Sequence, residues 1–232
     1  MIKQLLKRLL LNKRVAPLML RGALDLHNKL YSMLGVLAVA ANGGRHPKHD
    51  LIRYDQWFIE QIEPEWVVVD VGSNSGTMAA RLATKARRVI GIEIAAELIA
   101  RARRLHRAEN LEFIEADATT LDYSAFPVVD CVTLSNVLEH LTDRVQFIRL
   151  LCDRLPWRDR KDQKFLIRVP TIERDWVALY KKELGIEYRL DRTHKIEHTS
   201  DEFVAELMLA GLRIESMEVR FGELYAVCKG AG

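Results

Sequence analysis

The chain has 232 residues, of which 49% are hydrophobic and 29% are charged, and its formal net charge at pH 7 is +3. This length and apolar content are sufficient for one large core with a small attached element, but hardly for two full domains. The near-balance of charge does not mark the whole chain as a nucleic-acid binder, although basic residues cluster towards the amino end.

The cysteines are odd in number and far apart, at Cys131, Cys152 and Cys228. This pattern suggests neither a disulfide framework nor a cysteine-ligated zinc, and it favours a reducing cytoplasm. No run reaches the roughly 18 uninterrupted apolar residues of a membrane span. The early apolar stretch LYSMLGVLAVAA follows a long segment that contains Asp25, so we predict neither a signal peptide nor a membrane span.

The first forty residues have a helical pattern, with breaks predicted near Pro17 and Gly22. Basic residues stand between the leucines of this region, at Lys3, Lys7, Arg8, Lys13 and Arg14. Two interpretations remain open. A basic amphipathic helix can lie on an anionic membrane surface as a peripheral contact, and a helical cap can pack on the main domain.

A loop with Gly43, Gly44 and Pro47 follows and marks the predicted boundary. We therefore divide the chain into an N-terminal helical cap, residues 1–45, and a main domain, residues 46–232. Within the loop, His46 and His49 are candidates for a base or a gate over a ligand pocket. The alternative is a solvated entry loop in which Asp50 caps the next helix, with Tyr54 and Trp57 as packing residues.

Strands and helices then alternate along the chain. The predicted elements are a helix near 50–62, strand 66–71, helix 75–85, strand 88–94, helix 95–107, strand 111–115, strand 130–135, helix 142–155 and strand 164–169. An irregular region at 171–199, a helix from Asp201 to Leu209 and two strands turning near Gly222 complete the pattern. This order predicts an α/β fold, with a seven-stranded, mostly parallel sheet, helices on both faces and an antiparallel last strand.

The stretch VVVDVGSNSG has two glycines, Gly72 and Gly76, just past the end of the first strand, where ligands bind in open parallel sheets. A dinucleotide fingerprint needs three glycines in this register, and two of them are missing. Asp70 would repel a phosphate but suits a positive charge or an ammonium group. The loop is therefore predicted to hold something other than a pyrophosphate.

Two further acids define the expected ligand. Glu93 ends the second strand, 23 residues after Asp70, where a carboxylate can accept both hydroxyls of a ribose. Asp117 follows the third strand, where an adenine amino group needs an acceptor. Together the acids indicate a nucleoside with an amino-acid tail.

With these residues the chain resembles the class I S-adenosylmethionine-dependent methyltransferases, which have a Rossmann-like fold, over about residues 50–229. VVVDVGSNSG resembles the first motif of that family, VIGIE its acidic second motif, EADA its adenine-side motif and DCVTLSNVLEHL its fourth-strand motif. Many members have glycine at the position of Asn74, and Asn tolerates the left-handed backbone that glycine allows. The resemblance implies S-adenosylmethionine as cofactor and these cofactor-binding residues: Asp70, Gly72, Ser73, Gly76, Glu93, Ile94, Asp117, Ala118, Ser135 and Asn136.

The resemblance implies methyl transfer, but it leaves the acceptor open. No N-P-P-[YF] signature of amino-group or nucleobase methylation follows the fourth strand, where the chain reads LSNVLEHL. This favours an oxygen of a small-molecule, sugar or lipid-linked acceptor, and the tail resembles bacterial methyltransferases of polysaccharide, lipid and secondary-metabolite pathways. The alternative is a catalytically degenerate cofactor-binding scaffold or regulatory subunit. The oligomeric state is not predicted.

A helical turn beginning at Ser135 would place Asn136, Glu139 and His140 on one face. The segment resembles the E-x-x-E-H stretch of small-RNA 2'-O-methyltransferases and ubiquinone-pathway O-methyltransferases, whose acids and histidines hold a divalent metal ion. Glu139 and His140 match that stretch, Asn136 replaces the first acid, and His194 stands for the later histidine. The missing carboxylate disfavours Mg²⁺ and favours Mn²⁺ or Zn²⁺. The alternatives are a metal-free His140 acting as catalytic base, and a local structural role for Glu139 and His140.

Overall fold

The computed structural model describes residues 10–44 and 46–230 and contains a seven-stranded sheet in the order β3-β2-β1-β4-β5-β7-β6. Strands β1 to β5 pair in parallel, whereas β7 is antiparallel to both β5 and β6. The predicted fold class is confirmed. The strands are β1 (Val67–Val71), β2 (Arg88–Glu93), β3 (Leu111–Glu115), β4 (Cys131–Ser135), β5 (Lys164–Pro170), β6 (Leu212–Arg220) and β7 (Glu223–Gly230).

Helices cover both faces of this sheet, and alternate residues of the central strands enter two separate cores. Trp57, Met78 and Ile99 pack with Val68 on one face, while Phe147 and Phe203 belong to the core on the other. The α-helices are α1 (Ala16–Ala41), α2 (Lys48–Ile52), α3 (Tyr54–Gln61), α4 (Thr77–Leu82), α5 (Ala96–Leu105), α6 (Arg144–Arg154), α7 (Trp176–Glu183) and α8 (Ser200–Leu209). Burial on both faces explains the continuous apolar character of β1, VVVDV.

The chain forms two compact units. The larger unit comprises Arg53–Arg174 and Asp191–Gly232 and contains the whole sheet. The smaller unit comprises the chain up to Ile52 together with Asp175–Leu190, a segment that lies inside the predicted main domain. The predicted division into a helical cap and a main domain at residue 45 stays a prediction.

The amino-terminal part differs from its predicted form. Pro17 stands in the first turn of α1, where a missing N–H costs nothing, so it starts the helix instead of breaking it. Gly22 lies inside the same continuous helix, so the break predicted there is wrong. Lys3, Lys7 and Arg8 lie outside the described residues. Among the described residues, no helix combines the length and the apolar character needed to cross a bilayer.

Two other segments also differ from the prediction. The helix predicted at 50–62 is divided into α2 and α3 because Arg53 adopts a left-handed conformation, with φ of 50°. Asp50 lies inside α2 and does not cap it. The region predicted to be irregular, 171–199, contains α7, which Asp175 starts by accepting a hydrogen bond from the backbone N–H of Ala178 at 2.7 Å.

Candidate active site

The loop between β1 and α4 bends through three left-handed residues at the carboxyl end of β1. The φ values are 69° at Gly72, 50° at Asn74 and 80° at Gly76. A Cβ atom on Gly76 would stand 2.5 Å from the ring of Phe113, and one on Gly72 would stand 2.7 Å from Val137. Both glycines are required by backbone conformation and by close approach, and Asn74 has the left-handed backbone expected for it.

Glu93 ends β2 and stabilises the loop between β1 and α4 through a hydrogen bond. One carboxylate oxygen accepts a hydrogen bond from the backbone N–H of Asn74 at 3.0 Å, and the other accepts from the N–H of Ala95 at 3.0 Å. Each oxygen has a second lone pair available to a ligand hydroxyl. Glu93 therefore has a structural role in the loop as well as the ligand-binding role predicted for it.

Asp70 lies beneath the loop with only 2% of its surface exposed. Its Oδ1 accepts a hydrogen bond from the Thr133 hydroxyl at 2.7 Å, whereas its Oδ2 and the Ser73 hydroxyl are buried without a hydrogen-bond partner. Burial raises the pKa of Asp70 from 3.8 to about 7, partly opposed by the Thr133 hydrogen bond. Unsatisfied buried polar atoms are uncommon, and here they mark a place for a polar ligand.

This raised pKa makes stability depend on pH. Between about pH 4 and pH 7 the native state keeps a proton on Asp70 that the unfolded state has lost, so the free energy of unfolding should decrease as pH rises through that window. We expect Asp70→Asn to remove a few kcal/mol of this decrease, as measured by urea unfolding at several pH values. Asp122→Asn is the control because the pKa of Asp122 is lowered. If the free energy of unfolding of Asp70→Asn changed with pH in the same way as that of the parent protein, the prediction would be contradicted.

The residues predicted to contact adenine follow β3. Asp117 is exposed, and its Oδ1 accepts hydrogen bonds from the backbone N–H and the hydroxyl of Thr119, at 2.8 and 2.7 Å. The carbonyl oxygen of Ala118 accepts a hydrogen bond from the Tyr123 hydroxyl at 2.7 Å. Ile94, at the end of β2, is 66% exposed and presents an apolar surface. The structure thus brings the predicted residues to one edge of the sheet, and their roles stay predictions.

The segment after β4 is not the helix turn predicted from Ser135. Ser135 ends β4, Asn136 has a left-handed backbone with φ of 57°, and a short 3-10 turn spans Leu138–His140. The backbone N–H of Asn136 donates to the carbonyl oxygen of Arg168 on the adjacent β5 at 2.8 Å. This bond extends the pairing of β4 with β5 by one residue, so Asn136 does not begin a helix. The Oδ1 atom of Asn136 is buried without a hydrogen-bond partner.

Glu139 is the most unusual acid of the larger unit. It is completely buried, and neither carboxylate oxygen has a hydrogen-bond partner. Burial raises its pKa from 4.5 to about 7, and the positive potential of His194 and Arg168 opposes that rise. A buried carboxylate without hydrogen bonds costs stability unless a cation or a ligand completes it.

His140 and His194 stand beside this carboxylate. Their rings lie 4.8 Å apart, and one nitrogen of each, with a Glu139 oxygen, forms a set of atoms within 4.8 Å of one another. Nδ1 of His140 lies 3.0 Å from the Thr193 hydroxyl, and Nδ1 of His194 lies 3.1 Å from a Glu197 oxygen. Burial and the neighbouring His194 lower the pKa of His140. The structure brings together the three residues predicted as metal ligands.

Several supporting residues were not predicted from the sequence. Thr133 holds Asp70, Thr193 contacts His140, and Glu197 contacts His194 and pairs with Arg174. Of the residues that were not predicted, only Arg168 has a recognisable signal in the sequence. It is a charged residue within the apolar run KFLIRVP, and such a residue indicates a buried ion pair or a ligand contact. His46 and His49 belong to the smaller unit, so their suggested role as base or gate stays a prediction.

Comparisons with known proteins identify the family. A family model described as "Methyltransferase domain" matches residues 69–155, which run from β1 to the end of α6 and include the loop, Glu93 and Glu139. Over these residues, and in its fold, the chain matches the class I S-adenosylmethionine-dependent methyltransferases. The resemblance inferred from the sequence motifs is confirmed.

The individual relatives align with different parts of this chain. A probable ribosomal RNA small subunit methyltransferase A of Methanosarcina mazei is 30% identical over 112 residues, 45% of this chain. The aligned part spans only 39% of that curated relative.

Solved methyltransferase structures share the fold. The putative methyltransferase bound to the Trm112 activator of Haloferax volcanii has a TM-score of 0.62 and 16% identity, over 84% of this chain and 96% of its own. Magnesium protoporphyrin IX methyltransferase of Synechocystis, with bound S-adenosylhomocysteine, has a TM-score of 0.57 and 17% identity, over 77% and 80%.

Proposed function

We propose that this protein transfers a methyl group from S-adenosylmethionine to an oxygen of a small-molecule, sugar or lipid-linked acceptor in the cytoplasm. When bound, S-adenosylmethionine supplies a methyl group on a positively charged sulfur, which is already a good leaving group. The protein therefore has to hold the cofactor, align the acceptor and remove its proton. The observation that carries the proposal is the juxtaposition of the glycine loop and Glu93 with a cluster formed by the buried Glu139 and His194 and the exposed His140.

The cofactor side fits an aminoacyl nucleoside. The unpartnered Oδ2 of Asp70 and hydroxyl of Ser73 offer polar atoms beneath the loop for the amino-acid tail. Glu93, with its carboxylate already directed by two backbone N–H groups, would accept the ribose hydroxyls. Asp117 would accept a hydrogen bond from the adenine amino group, with Ala118 and Ile94 providing apolar contacts to the ring.

The acceptor side favours removal of a hydroxyl proton. His140 has a lowered pKa, so its imidazole is neutral at pH 7 and can take a proton. Relatives named for ribosomal RNA and for protoporphyrin methylation show how widely acceptors vary around one fold. An oxygen acceptor is supported here by the histidine pair and by the absence of an N-P-P-[YF] sequence after β4.

We also propose that the same cluster binds a divalent metal ion through Glu139, His140 and His194. The buried carboxylate of Glu139 has no hydrogen-bond partner among the described residues, and its two neighbours in the cluster are imidazoles. Their candidate ligand atoms all lie within 4.8 Å of one another, so the three side chains would hold one ion between them after small rotations. The Nδ1 contact of His194 with Glu197 resembles the carboxylate–histidine pairing that orients metal-binding histidines. One carboxylate and two imidazoles suit Mn²⁺ or Zn²⁺ better than Mg²⁺.

Cofactor binding can be tested before the acceptor is known. We expect calorimetry to detect binding of S-adenosylhomocysteine to the parent protein, and Glu93→Ala to weaken it by at least about tenfold because two ribose hydrogen bonds are lost. Glu97→Ala is the matched control, since Glu97 is an exposed acid in the first turn of α5. A folded parent protein that binds neither S-adenosylmethionine nor S-adenosylhomocysteine would overturn the proposed function.

A further inference from the structure

The long helix of the smaller unit has an exposed apolar face. Large side chains recur along α1 at intervals of three, four and seven residues, which places them on one side of the helix. Their exposed fractions lie between 39% and 63%, and they extend over roughly 27 Å. The residues of this face are Met19, Leu26, Leu30, Met33, Leu34 and Leu37. Apolar patches of this extent mark an interaction surface.

The opposite side of α1 is held within the smaller unit. The guanidinium of Arg21 donates to the carbonyl oxygen of Leu184, and the amide of Asn28 donates to that of Glu187, both at 2.8 Å. Lys181 donates to the side-chain oxygen of Asn28 at 2.7 Å, and Leu24 is buried on this side. These contacts fix the rotation of the helix relative to Asp175–Leu190, with the apolar face directed away from them.

The described residues at the start of this helix carry a net positive charge. Residues 10–30 contain one acid, Asp25, and four basic residues, Lys13, Arg14, Arg21 and Lys29, so their net charge is 4 − 1 = +3. Lys13 and Arg14 are exposed immediately before α1, and Lys29 is exposed beside the apolar face. An apolar helix face with adjacent basic residues is the pattern of helices that lie in the interface of an anionic membrane.

We propose that the apolar face of α1 binds the surface of a bilayer that contains anionic lipids. The helix lies in the interface and does not cross, in agreement with its hydropathy. A second copy of this chain is a poorer occupant, because it would bring another positively charged segment towards the first. An anionic lipid surface instead complements the basic residues and accepts the leucine and methionine side chains. This inference is independent of the proposed methyl transfer.

Flotation of the 232-residue chain with lipid vesicles tests the proposal. We expect binding to phosphatidylcholine vesicles that contain about one third phosphatidylglycerol, and at least tenfold weaker binding to phosphatidylcholine alone. Raising the salt from about 0.1 M to about 0.5 M should weaken binding several-fold. Leu30→Glu with Leu34→Glu, and separately Lys13→Glu with Arg14→Glu, should each weaken binding at least tenfold.

The control variant is Met208→Glu, which changes a residue of α8 in the larger unit that is 65% exposed. It should bind vesicles as the parent does, and circular dichroism should show that all the variants fold. Equal binding to both lipid compositions, or full binding by the Leu30 and Leu34 variant, would overturn the proposal. A parent protein that ignores vesicles but forms a dimer which Leu30→Glu with Leu34→Glu dissociates would assign this face to a second copy.

Discussion

The protein is expected to bind one Mn²⁺ or Zn²⁺ ion in the cluster after β4, and His194→Ala should weaken that binding by a factor of about a hundred or more. The ion would neutralise the buried Glu139 carboxylate, whose two oxygens have no hydrogen-bond partner. Because the pKa of Glu139 is about 7 and the metal needs the ionised form, affinity should fall as pH is lowered from 8 to 6. Calorimetric titration with each metal measures both effects.

His106→Ala is the matched control, since His106 ends α5 outside the cluster. Activity distinguishes the metal from a free imidazole base, with release of S-adenosylhomocysteine in a cell-extract fraction as the readout. Turnover restored by Mn²⁺ after chelation and abolished by His140→Ala or His194→Ala supports the ion. Turnover that survives exhaustive chelation yet falls by about 10² or more in His140→Ala excludes the ion and leaves His140 as the base.

Gly76→Ala should lower the free energy of unfolding by about 3 kcal/mol and abolish measurable binding of S-adenosylhomocysteine. The new Cβ would meet a left-handed backbone and also stand 2.5 Å from the Phe113 ring and 2.9 Å from the Cβ of Ala102. Relief of these contacts requires the loop to move away from α5 and β3. Chemical denaturation and calorimetry measure the two consequences.

The control, Gly211→Ala, isolates the backbone contribution. Gly211 has φ of 85°, close to that of Gly76, but nothing lies within 4 Å of an added Cβ. Gly211→Ala should lower the free energy of unfolding by only about 1 kcal/mol and leave the binding of S-adenosylhomocysteine unchanged. Equal destabilisation by the two substitutions would show that the packing of Gly76 against Phe113 has no energetic importance.

The sequence predicted the sheet well because the central parallel strands β1, β2, β4 and β5 are mostly buried and are therefore largely apolar runs. It also predicted the glycine loop after β1 from local residues, since Gly72 and Gly76 adopt conformations that few other residues allow. Both signals are local. The positions of Asp70, Glu93 and Asp117 followed from their places at strand ends.

The missed features depend on contacts between distant parts of the chain. Asn136 leaves the helical pattern because its N–H bonds to Arg168 on β5, 32 residues later. The helix α7 belongs to the smaller unit through Lys181, which contacts Asn28 over 153 residues. Hydrophobic periodicity contains no information about such partners, so the segment 171–199 looked irregular.

The two edge strands of the sheet also bear on solubility. β6 presents Arg213, Glu215, Glu218 and Arg220 and is interrupted by a bulge between Ile214 and Ser216. β3 is only five residues long and contains Glu112 and Glu115. Short, charged or bulged edges prevent a sheet from adding strands of another molecule. Aggregation through either edge strand of the sheet is therefore disfavoured. If the protein precipitates in concentrated solution, a detergent that covers the apolar face of α1 should keep it dissolved.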